Sequence, residues 1–332
     1  MVACGRRLIN FYIRHVGSLN VSNLSAGYDQ KTVVSDCSFQ VENGEVLVVL
    51  GESGDGKSTL MKALAGLIVH QAGKVFFNDE PVPDAHGQLV PGHPLIKLIN
   101  QDFQLDEFHT VAENIRLRLL AFDKSYQADR VRTLLRITKL TRFKSKKAAD
   151  LSGGQKQRLA IARALADEPE FLLLDEPFNQ LDFQMKQGIA RHIRNYIKSN
   201  GIGAIMVTHN GVEAMEWADR IMHLSSGRIL RMDSAEHFYQ YPTHLNEARF
   251  FGPVNKVVVE NGNTVYFRPE DFRLKAMEEY RIPLAVAYKK SVLMGWYSVV
   301  EFQCLNRPIQ LYSTKDLSGI SKIFVKKLPF SD

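Results

Sequence analysis

Cysteine is scarce in this chain, and long apolar runs are missing. The 332 residues include only 3 cysteines, Cys4, Cys37 and Cys304, which are widely spaced. An odd and scattered set excludes a secreted disulfide framework and favours a reducing compartment. A helix that spans a bilayer needs about 20 consecutive apolar residues, whereas the longest apolar stretches here, such as residues 46–50, have the length of a strand. The sequence therefore predicts no membrane span.

Glycine and proline are too few for a collagen-like chain. The 22 glycines, 12 prolines and 45% hydrophobic residues are ordinary values for a globular protein, and 332 residues allow one large domain and a smaller one. Lysine and arginine number 42 against 36 aspartates and glutamates. This mild positive charge favours anionic partners without choosing among phosphate ligands, lipid headgroups and nucleic acid.

The first residues do not fit a targeting signal. The apolar stretch 8–13 is short and is followed at once by Arg14 and His15, so it lacks the length of a signal peptide core. We expect residues 1–17 to be an N-terminal extension, either non-native or disordered.

The pattern of a phosphate-binding loop begins at Gly51. Residues 45–50 predict a strand, and a helical segment starts at Lys57. Between them GESGDGKST fits G-x-x-x-x-G-K-[ST], in which backbone amides turn around phosphate oxygens at a helix N-terminus. We expect Lys57 to bridge the β and γ phosphates, Ser58 to bind Mg²⁺ and Thr59 to contact the α phosphate. The predicted ATP-binding residues of this loop are Gly51, Ser53, Gly54, Gly56, Lys57, Ser58 and Thr59.

Two carboxylates follow a second apolar strand. Residues 171–174 are entirely apolar and precede Asp175 and Glu176. In a parallel sheet covered by helices, the carboxyl ends of such strands meet at one edge, so both side chains are expected beside the phosphate loop. Asp175 is placed to hold Mg²⁺ through water. Glu176 is placed to orient or polarise the attacking water.

A second helix start suited to an anion lies at residues 151–158, with the sequence LSGGQKQR. Ser152 is a good N-cap for the alanine-rich helix that follows, and the two glycines leave backbone amides free. The predicted nucleotide-binding residues here are Ser152, Gly153, Gly154 and Gln155.

These three motifs, in this order and spacing, resemble those of the ATP-binding subunits of ABC transporters over about residues 18–250. The resemblance implies an α/β fold of the P-loop NTPase class that binds ATP and Mg²⁺. Its ABC ATPase core would cover residues 18–249, with a helical subdomain at about 104–155. The implied catalytic residues are Lys57, Gln101, Glu176 and His209, and the implied Mg²⁺ ligands are Ser58, Gln101 and Asp175.

The resemblance also implies roles for four residues outside the main motifs. Tyr28 would stack on adenine, and Gln101 would sense Mg²⁺ and the attacking water. Asp182 lies in the D-loop at the nucleotide, and His209 would contact the γ phosphate. The D-loop departs from the family here, because it commonly begins Ser-Ala and this one begins Asn179-Gln180.

Residues 250–332 change pattern and predict a small β-barrel-like domain of five strands. Residues 256–260 and 264–267 flank Asn261-Gly262-Asn263 and predict a hairpin. The apolar run at 282–288 predicts another of the five strands. Residues 268–270, Arg-Pro-Glu, resemble the start of the TOBE-type regulatory domain of many solute importers, and a purely structural role in dimerisation is the alternative. The shortness of this domain favours an inorganic ion or a polyamine as the solute.

The chain has one set of motifs, so the resemblance implies a second ATPase subunit, identical or paralogous, with ATP held between the two. The implied function is the ATP-hydrolysing subunit of an ABC importer, peripheral on the cytoplasmic face of the cell (inner) membrane. Its partners would be transmembrane permease subunits, which dock in a groove between the insert at 104–150 and the core near Gln101. Through them it would act with an external solute-binding protein, and no nucleic acid is expected.

Two other functions compete with this one. An ABC exporter ATPase is disfavoured by the C-terminal β-domain. A soluble ABC ATPase acting on nucleic acid or ribosomes is disfavoured by the single cassette and by the short gap between the phosphate loop and residues 151–158.

Overall fold

The computed structural model describes residues 17–29, 31–86, 88–100, 103–181, 183–259, 262–305 and 307–330. Of the predicted extension, residues 1–16 lie outside this range. The chain forms two compact units, of which the first comprises the residues up to 209 with 217–232, and the second comprises residues 210–216 and 233–332. Within the described residues, no helix is long and apolar enough to cross a membrane.

A six-stranded sheet carries the first unit, in the order β10-β9-β3-β8-β7-β6. All residues of β3, β7 and β8 are buried, as expected for apolar strands covered on both faces. The pairs β3–β8, β3–β9, β7–β8 and β6–β7 are parallel, so these strands end at one edge. The strands are β3 (Val46–Leu50), β6 (Ile96–Ile99), β7 (Phe171–Asp175), β8 (Gly203–Thr208), β9 (Arg220–Ser225) and β10 (Arg228–Ser234).

An antiparallel sheet in the order β2-β1-β4-β5 completes the β structure of the first unit. Alternate residues of β1 and β2, such as Leu19, Val21 and Val41, are buried in the same hydrophobic cluster as residues of β3 and β7. The two sheets therefore share one core. The strands are β1 (Ser18–Tyr28), β2 (Lys31–Glu42), β4 (His70–Phe77) and β5 (Glu80–Pro81).

The predicted helical segment is helical but broken into short pieces. Single 3-10 turns at 117–119, 141–143 and 148–150 lie between the α-helices of this segment. Arg130 links two of the helices, because its Nη2 donates to the carbonyl of Leu165 at 2.6 Å. The α-helices in the part of the chain that the structure describes are α1 (Lys57–Leu64), α2 (Val111–Arg116), α3 (Lys124–Ile137), α4 (Gly153–Ala166), α5 (Phe183–Ser199), α6 (Gly211–Trp217), α7 (Ala235–Gln240) and α8 (Leu245–Phe250).

The described residues of the second unit form eight short strands in three sheets, where the sequence predicted five strands. The predicted hairpin is present as β11 paired with β12. The apolar run at 282–288 does not form one strand, because its first part pairs with β18 and its second part with β16. The strands are β11 (Asn255–Val258), β12 (Thr264–Phe267), β13 (Phe272–Arg273), β14 (Ile282–Ala285), β15 (Ala287–Leu293), β16 (Ser298–Cys304), β17 (Arg307–Ser313) and β18 (Lys322–Val325).

A buried arginine explains why helices α7 and α8 belong to the second unit. Arg268 is 2% exposed, and its guanidinium stacks 3.9 Å from the ring centre of Tyr239. It donates to the carbonyls of Tyr239 at 3.0 Å and Ala248 at 3.3 Å, and the Tyr239 hydroxyl donates to Glu270. The predicted domain boundary at residue 250 therefore falls inside this unit.

We expect Arg268→Ala to destabilise the packing of α7 and α8 by about 3 kcal/mol, because two buried carbonyls lose a charged donor. Hydrogen exchange of the amides of residues 235–250 should accelerate by about 100-fold. Arg273→Ala is the matched control, since Arg273 also stacks on a tyrosine but is exposed. Equal exchange in the two variants would contradict this role of Arg268.

The two cysteines in the described residues are buried and free. Burial raises the pKa of Cys37 to about 11 and also raises the pKa of Cys304. Because the thiolate is the reactive form, we expect iodoacetamide at about pH 8 to label both cysteines roughly 100-fold more slowly in the native protein than in urea. Peptide mass spectrometry measures this, and equal rates in both conditions would contradict the buried positions.

Candidate active site

Three neighbouring parallel strands bring the predicted chemistry to one edge of the sheet. Strand β3 ends at Leu50 and leads into the phosphate loop, β8 ends at Thr208 before His209, and β7 ends at Asp175 before Glu176. The order β3-β8-β7 places the three strand ends side by side. The carboxyl edge of a parallel sheet is where open α/β folds bind ligands.

The phosphate loop has the backbone that its glycines allow. Gly54 and Gly56 have φ values of 94° and 90°, in the left-handed region that favours glycine. Lys57 opens helix α1 and is 7% exposed. Its Nζ donates to the carbonyls of Gly51 at 3.0 Å and Glu52 at 2.6 Å. The ammonium therefore lies over the loop whose amides would face phosphate oxygens.

Asp55 anchors this loop, although it occupies one of the positions that the loop motif leaves open. Its Oδ2 accepts from the backbone amide of Glu52 at 2.5 Å, and its Oδ1 accepts from the amide of Ser226 at 2.9 Å. The amide of Gly227 donates to its carbonyl at 3.1 Å. The first of these bonds is local, because it joins the Asp55 side chain to an amide three residues earlier, whereas the bonds to the β9–β10 turn depend on the tertiary fold.

Asp175 has the surroundings of a cation ligand. It is 8% exposed, and its Oδ1 has no hydrogen-bond partner. Burial raises the pKa of Asp175, a hydrogen bond from Ser58 lowers it, and the nearby charge of Glu176 raises it. A buried carboxylate oxygen without a donor, beside a serine hydroxyl, fits the oxygen ligands that Mg²⁺ prefers.

Glu176 and His209 are in direct contact. His209 Nδ1 lies 3.1 Å from Glu176 Oε1, and the side chains are 60% and 18% exposed. The backbone of Glu176 is left-handed with φ 48° and is held at both ends. Its amide donates to the carbonyl of Val207 at 3.1 Å, and its carbonyl accepts from Gln157 Nε2 at 3.2 Å. The carboxylate is thus fixed beside the strand ends.

The predicted nucleotide-binding residues 152–155, here called the signature, lie at the start of helix α4. Gln155 Oε1 accepts from the amide of Ser152 at 3.2 Å, which closes the first turn. A Cβ on Gly153 would lie 2.4 Å from Gln180 Oε1, and a Cβ on Gly154 would lie 2.8 Å from a methyl group of Leu181. A Cβ on Gly154 would also lie 2.9 Å from the backbone oxygen of Gln180, so Gly154 is required for packing against the D-loop of the same chain, whereas the Gln180 side chain could move away from a Cβ on Gly153.

Of the remaining predicted site residues, Tyr28 ends strand β1 and is 44% exposed, with Lys62 Nζ 5.8 Å from its ring centre. Gln101 and Asp182 lie outside the described residues.

Comparison with known proteins decides the family. A family model described as ABC transporter matches residues 34–179. The chain is 34% identical over 264 residues to the spermidine/putrescine import ATP-binding protein PotA of Bacillus cereus, covering 79% of each chain. It is 35% identical over 256 residues to the sulfate/thiosulfate import ATP-binding protein CysA of Vibrio cholerae, covering 75% of this chain and 67% of that one.

The chain belongs to the ATP-binding subunits of ABC transporters. Solved ABC cassettes agree with its fold. One is a dimeric, post-hydrolysis cassette bound to ADP and Pi, with 26% identity and a TM-score of 0.59, covering 65% of this chain and 98% of that one. Another belongs to an ABC transporter complex of Clostridium perfringens, with 27% identity and a TM-score of 0.60, covering 66% and 89%. The predicted fold class is confirmed, and this ABC subunit is an ATP-binding ATPase.

A small cavity of the ABC subunit is lined by residues on both sides of the undescribed positions 101 and 102. Its volume is about 200 Å³, and its lining includes Asn100, Phe103, Gln104, Arg118 and Ala164. The cavity therefore lies between β6, the turn at 117–119 and helix α4.

Positive charge borders this cavity. Arg118 Nε donates to Asp167 Oδ1 at 2.8 Å, and Lys97 Nζ lies 3.1 Å from Asp167 Oδ2. Arg163 also lines the cavity, and burial lowers its pKa. Three cationic side chains thus surround one carboxylate.

Proposed function

We propose that this ABC subunit hydrolyses ATP at the carboxyl edge of its parallel sheet to drive solute import through membrane partners. The observation that carries the proposal is the convergence of Lys57, Asp175, Glu176 and His209 from three adjacent strand ends. The two curated relatives are import subunits by name, which favours import over export.

Nucleotide binding uses the residues of the phosphate loop. The amides of the loop and the dipole of helix α1 meet the phosphate oxygens, as at other helix N-termini that bind phosphate. Lys57 turns from the two carbonyls that it now contacts to the β and γ phosphates, and Tyr28 stacks on adenine. The residues that would hold Mg²⁺ are Ser58, Asp175 and Gln101. When bound, Mg²⁺ supplies positive charge that offsets the charge of the β and γ phosphates.

Hydrolysis uses the pair of side chains after β7 and β8. Glu176 orients the attacking water and accepts its proton, because Asp175, the other carboxylate at this edge, is assigned to Mg²⁺. His209 contacts both Glu176 and the γ phosphate. It therefore couples the binding of that phosphate to the position of the base. Lys57 stabilises the negative charge on the phosphoryl oxygens in the transition state.

A second ATPase subunit completes the site. The amides at Gly153 and Gly154 start a helix that suits the γ phosphate of a partner's nucleotide, and Ser152 and Gln155 flank them. A head-to-tail dimer would place this signature and Asp182 opposite the partner's phosphate loop. Closure around ATP and opening after hydrolysis form a two-state switch.

Permease subunits are proposed to dock at the cavity lined by Asn100, Phe103 and Arg118. Its basic border and the exposed Phe108, Leu117 and Leu120 of the helical segment offer both charge and apolar area to a short helix from a membrane partner. Docking there places this subunit on the cytoplasmic face of the membrane, with an external solute-binding protein acting through the permease. The named solutes of the relatives, a polyamine and sulfate, agree with a polyamine or an inorganic ion as solute.

Affinity capture from detergent-solubilised membranes, followed by mass spectrometry, tests this function. The wild-type chain should recover a permease and an importer-type binding protein. Ala164→Arg, which fills the cavity, should lose the permease by at least about tenfold, whereas Ala128→Arg on the exposed face of α3 should not. Recovery of ribosomal or nucleic-acid-bound proteins alone would overturn the transport function and leave the ATPase chemistry in place.

A further inference from the structure

The first residue of the D-loop contacts the carboxylate proposed as the base. Asn179 Nδ2 donates to Glu176 Oε2, while His209 Nδ1 lies 3.1 Å from Glu176 Oε1. The two carboxylate oxygens therefore contact two different residues. An amide on one oxygen and an imidazole on the other define the plane in which the carboxylate lies.

The backbone keeps Asn179 within reach of Glu176. The amide of Asn179 donates to the carbonyl of Glu176 at 3.4 Å, and the amide of Leu181 donates to the carbonyl of Phe178 at 3.2 Å. These bonds close a tight turn between the acid and the D-loop. Phe178 itself is 1% exposed and packs 5.1 Å from the ring of Trp217, so the turn is fixed to the core.

The signature helix supports the same segment from the other side. Gln180 and Leu181 lie so close to Gly153 and Gly154 that a Cβ on either glycine would meet them at less than 3 Å. Asn179 is thus held between the turn after β7 and the start of helix α4. Because its backbone is held in this way, Asn179 can keep its side-chain amide directed at the Glu176 carboxylate.

We propose that Asn179 is a positioning residue that holds the Glu176 carboxylate in the orientation needed to activate water. This proposal rests on the role proposed above for Glu176. The serine common at this point of the family's D-loop has a shorter side chain, so an asparagine amide extends further toward the carboxylate. Its effect belongs to the catalytic step, because both the side chain and the backbone amide of Asn179 donate to Glu176, the proposed base.

Steady-state ATP hydrolysis by the full chain tests the proposal with three variants. Asn179→Ala should lower kcat by about tenfold and leave KM for ATP within about twofold, because a hydrogen bond to a charged group is worth about that factor. Asn179→Asp keeps the shape but removes the donor and adds a repelling charge, so its kcat should fall at least as far. Asn179→Ser, which retains a donor, should exceed Asn179→Ala.

Each outcome decides a different point. A kcat for Asn179→Ala within twofold of wild type, or any rise in kcat, would overturn the proposal. A loss expressed in KM, or an Asn179→Asp variant as active as wild type, would show a structural role only and would overturn it as well. Glu176→Gln is measured in parallel. If Glu176→Gln is inactive while Asn179→Ala is normal, only the positioning role fails. If Glu176→Gln hydrolyses at the wild-type rate, the assignment of the base itself fails.

Discussion

Glu176→Gln should lower kcat for ATP hydrolysis by at least about 100-fold, the usual size of a general-base contribution, and leave the affinity for ATP nearly unchanged. Glutamine has almost the same shape and can still accept from His209. It cannot take a proton from water. Its NH2 group would also face the NH2 group of Asn179, so the hydrogen bond between these two side chains would be lost. With ATP present, the variant should remain in the closed dimer, because closure requires ATP and opening requires hydrolysis.

The measurement is steady-state turnover together with size-exclusion chromatography in ATP. Glu170→Gln is the matched control, since Glu170 precedes the same strand at its other end, where it accepts from Asn78 Nδ2 at 3.1 Å. Turnover of this control should stay within about twofold of wild type. If Glu176→Gln hydrolyses ATP as fast as the control, another group activates the water.

The edge of the sheet could be predicted from sequence because its signals are local. Residues 46–50 and 171–174 are continuous apolar runs, which in a covered parallel sheet become buried central strands. Each run is followed at once by its functional residues, so locating the strand also locates the chemistry. The glycine pattern at 51–56 specifies its own left-handed backbone in the same way.

What escaped prediction depends on contacts between distant segments. Asp55 looks like an ordinary loop residue until Ser226 is brought beside it. Asn179 differs from the serine that is common in the family. Its contact with Glu176, however, depends on a turn that the sequence pattern does not predict. Arg268 and Tyr239 lie 29 residues apart in the sequence and form a stacked pair only in the fold.

The C-terminal strands show the same limit. Alternation of apolar residues identifies a strand but not its partner, so the run at 282–288 was predicted as one strand. In the fold it divides at Val286, whose amide donates to the carbonyl of Ser321 at 2.9 Å. The residues on either side then pair in different sheets, which raises the number of strands above five.

Lys57→Met should weaken ATP binding by at least about 100-fold, or ~2.7 kcal/mol. The ammonium is the one positively charged donor of the phosphate loop, whose other charged side chains, Glu52 and Asp55, are acidic. Without it, the loop itself would offer the triphosphate two carboxylates and no side-chain positive charge. Titration calorimetry with ATP measures this loss, and Lys74→Met on the exposed surface of β4 is the control that should bind normally.

The same substitution should also lower stability before any nucleotide is added, because Lys57 donates to the carbonyls of Gly51 and Glu52. Methionine fills the space but leaves those two oxygens without this donor, at a cost of about 1–3 kcal/mol. Urea unfolding of the ligand-free chain separates this effect from binding. If ATP affinity were unchanged while stability fell, the lysine would serve the loop alone and the triphosphate would bind by the amides. If ATP affinity and stability both fall, the lysine stabilises the empty loop and turns its ammonium toward the phosphates when ATP binds.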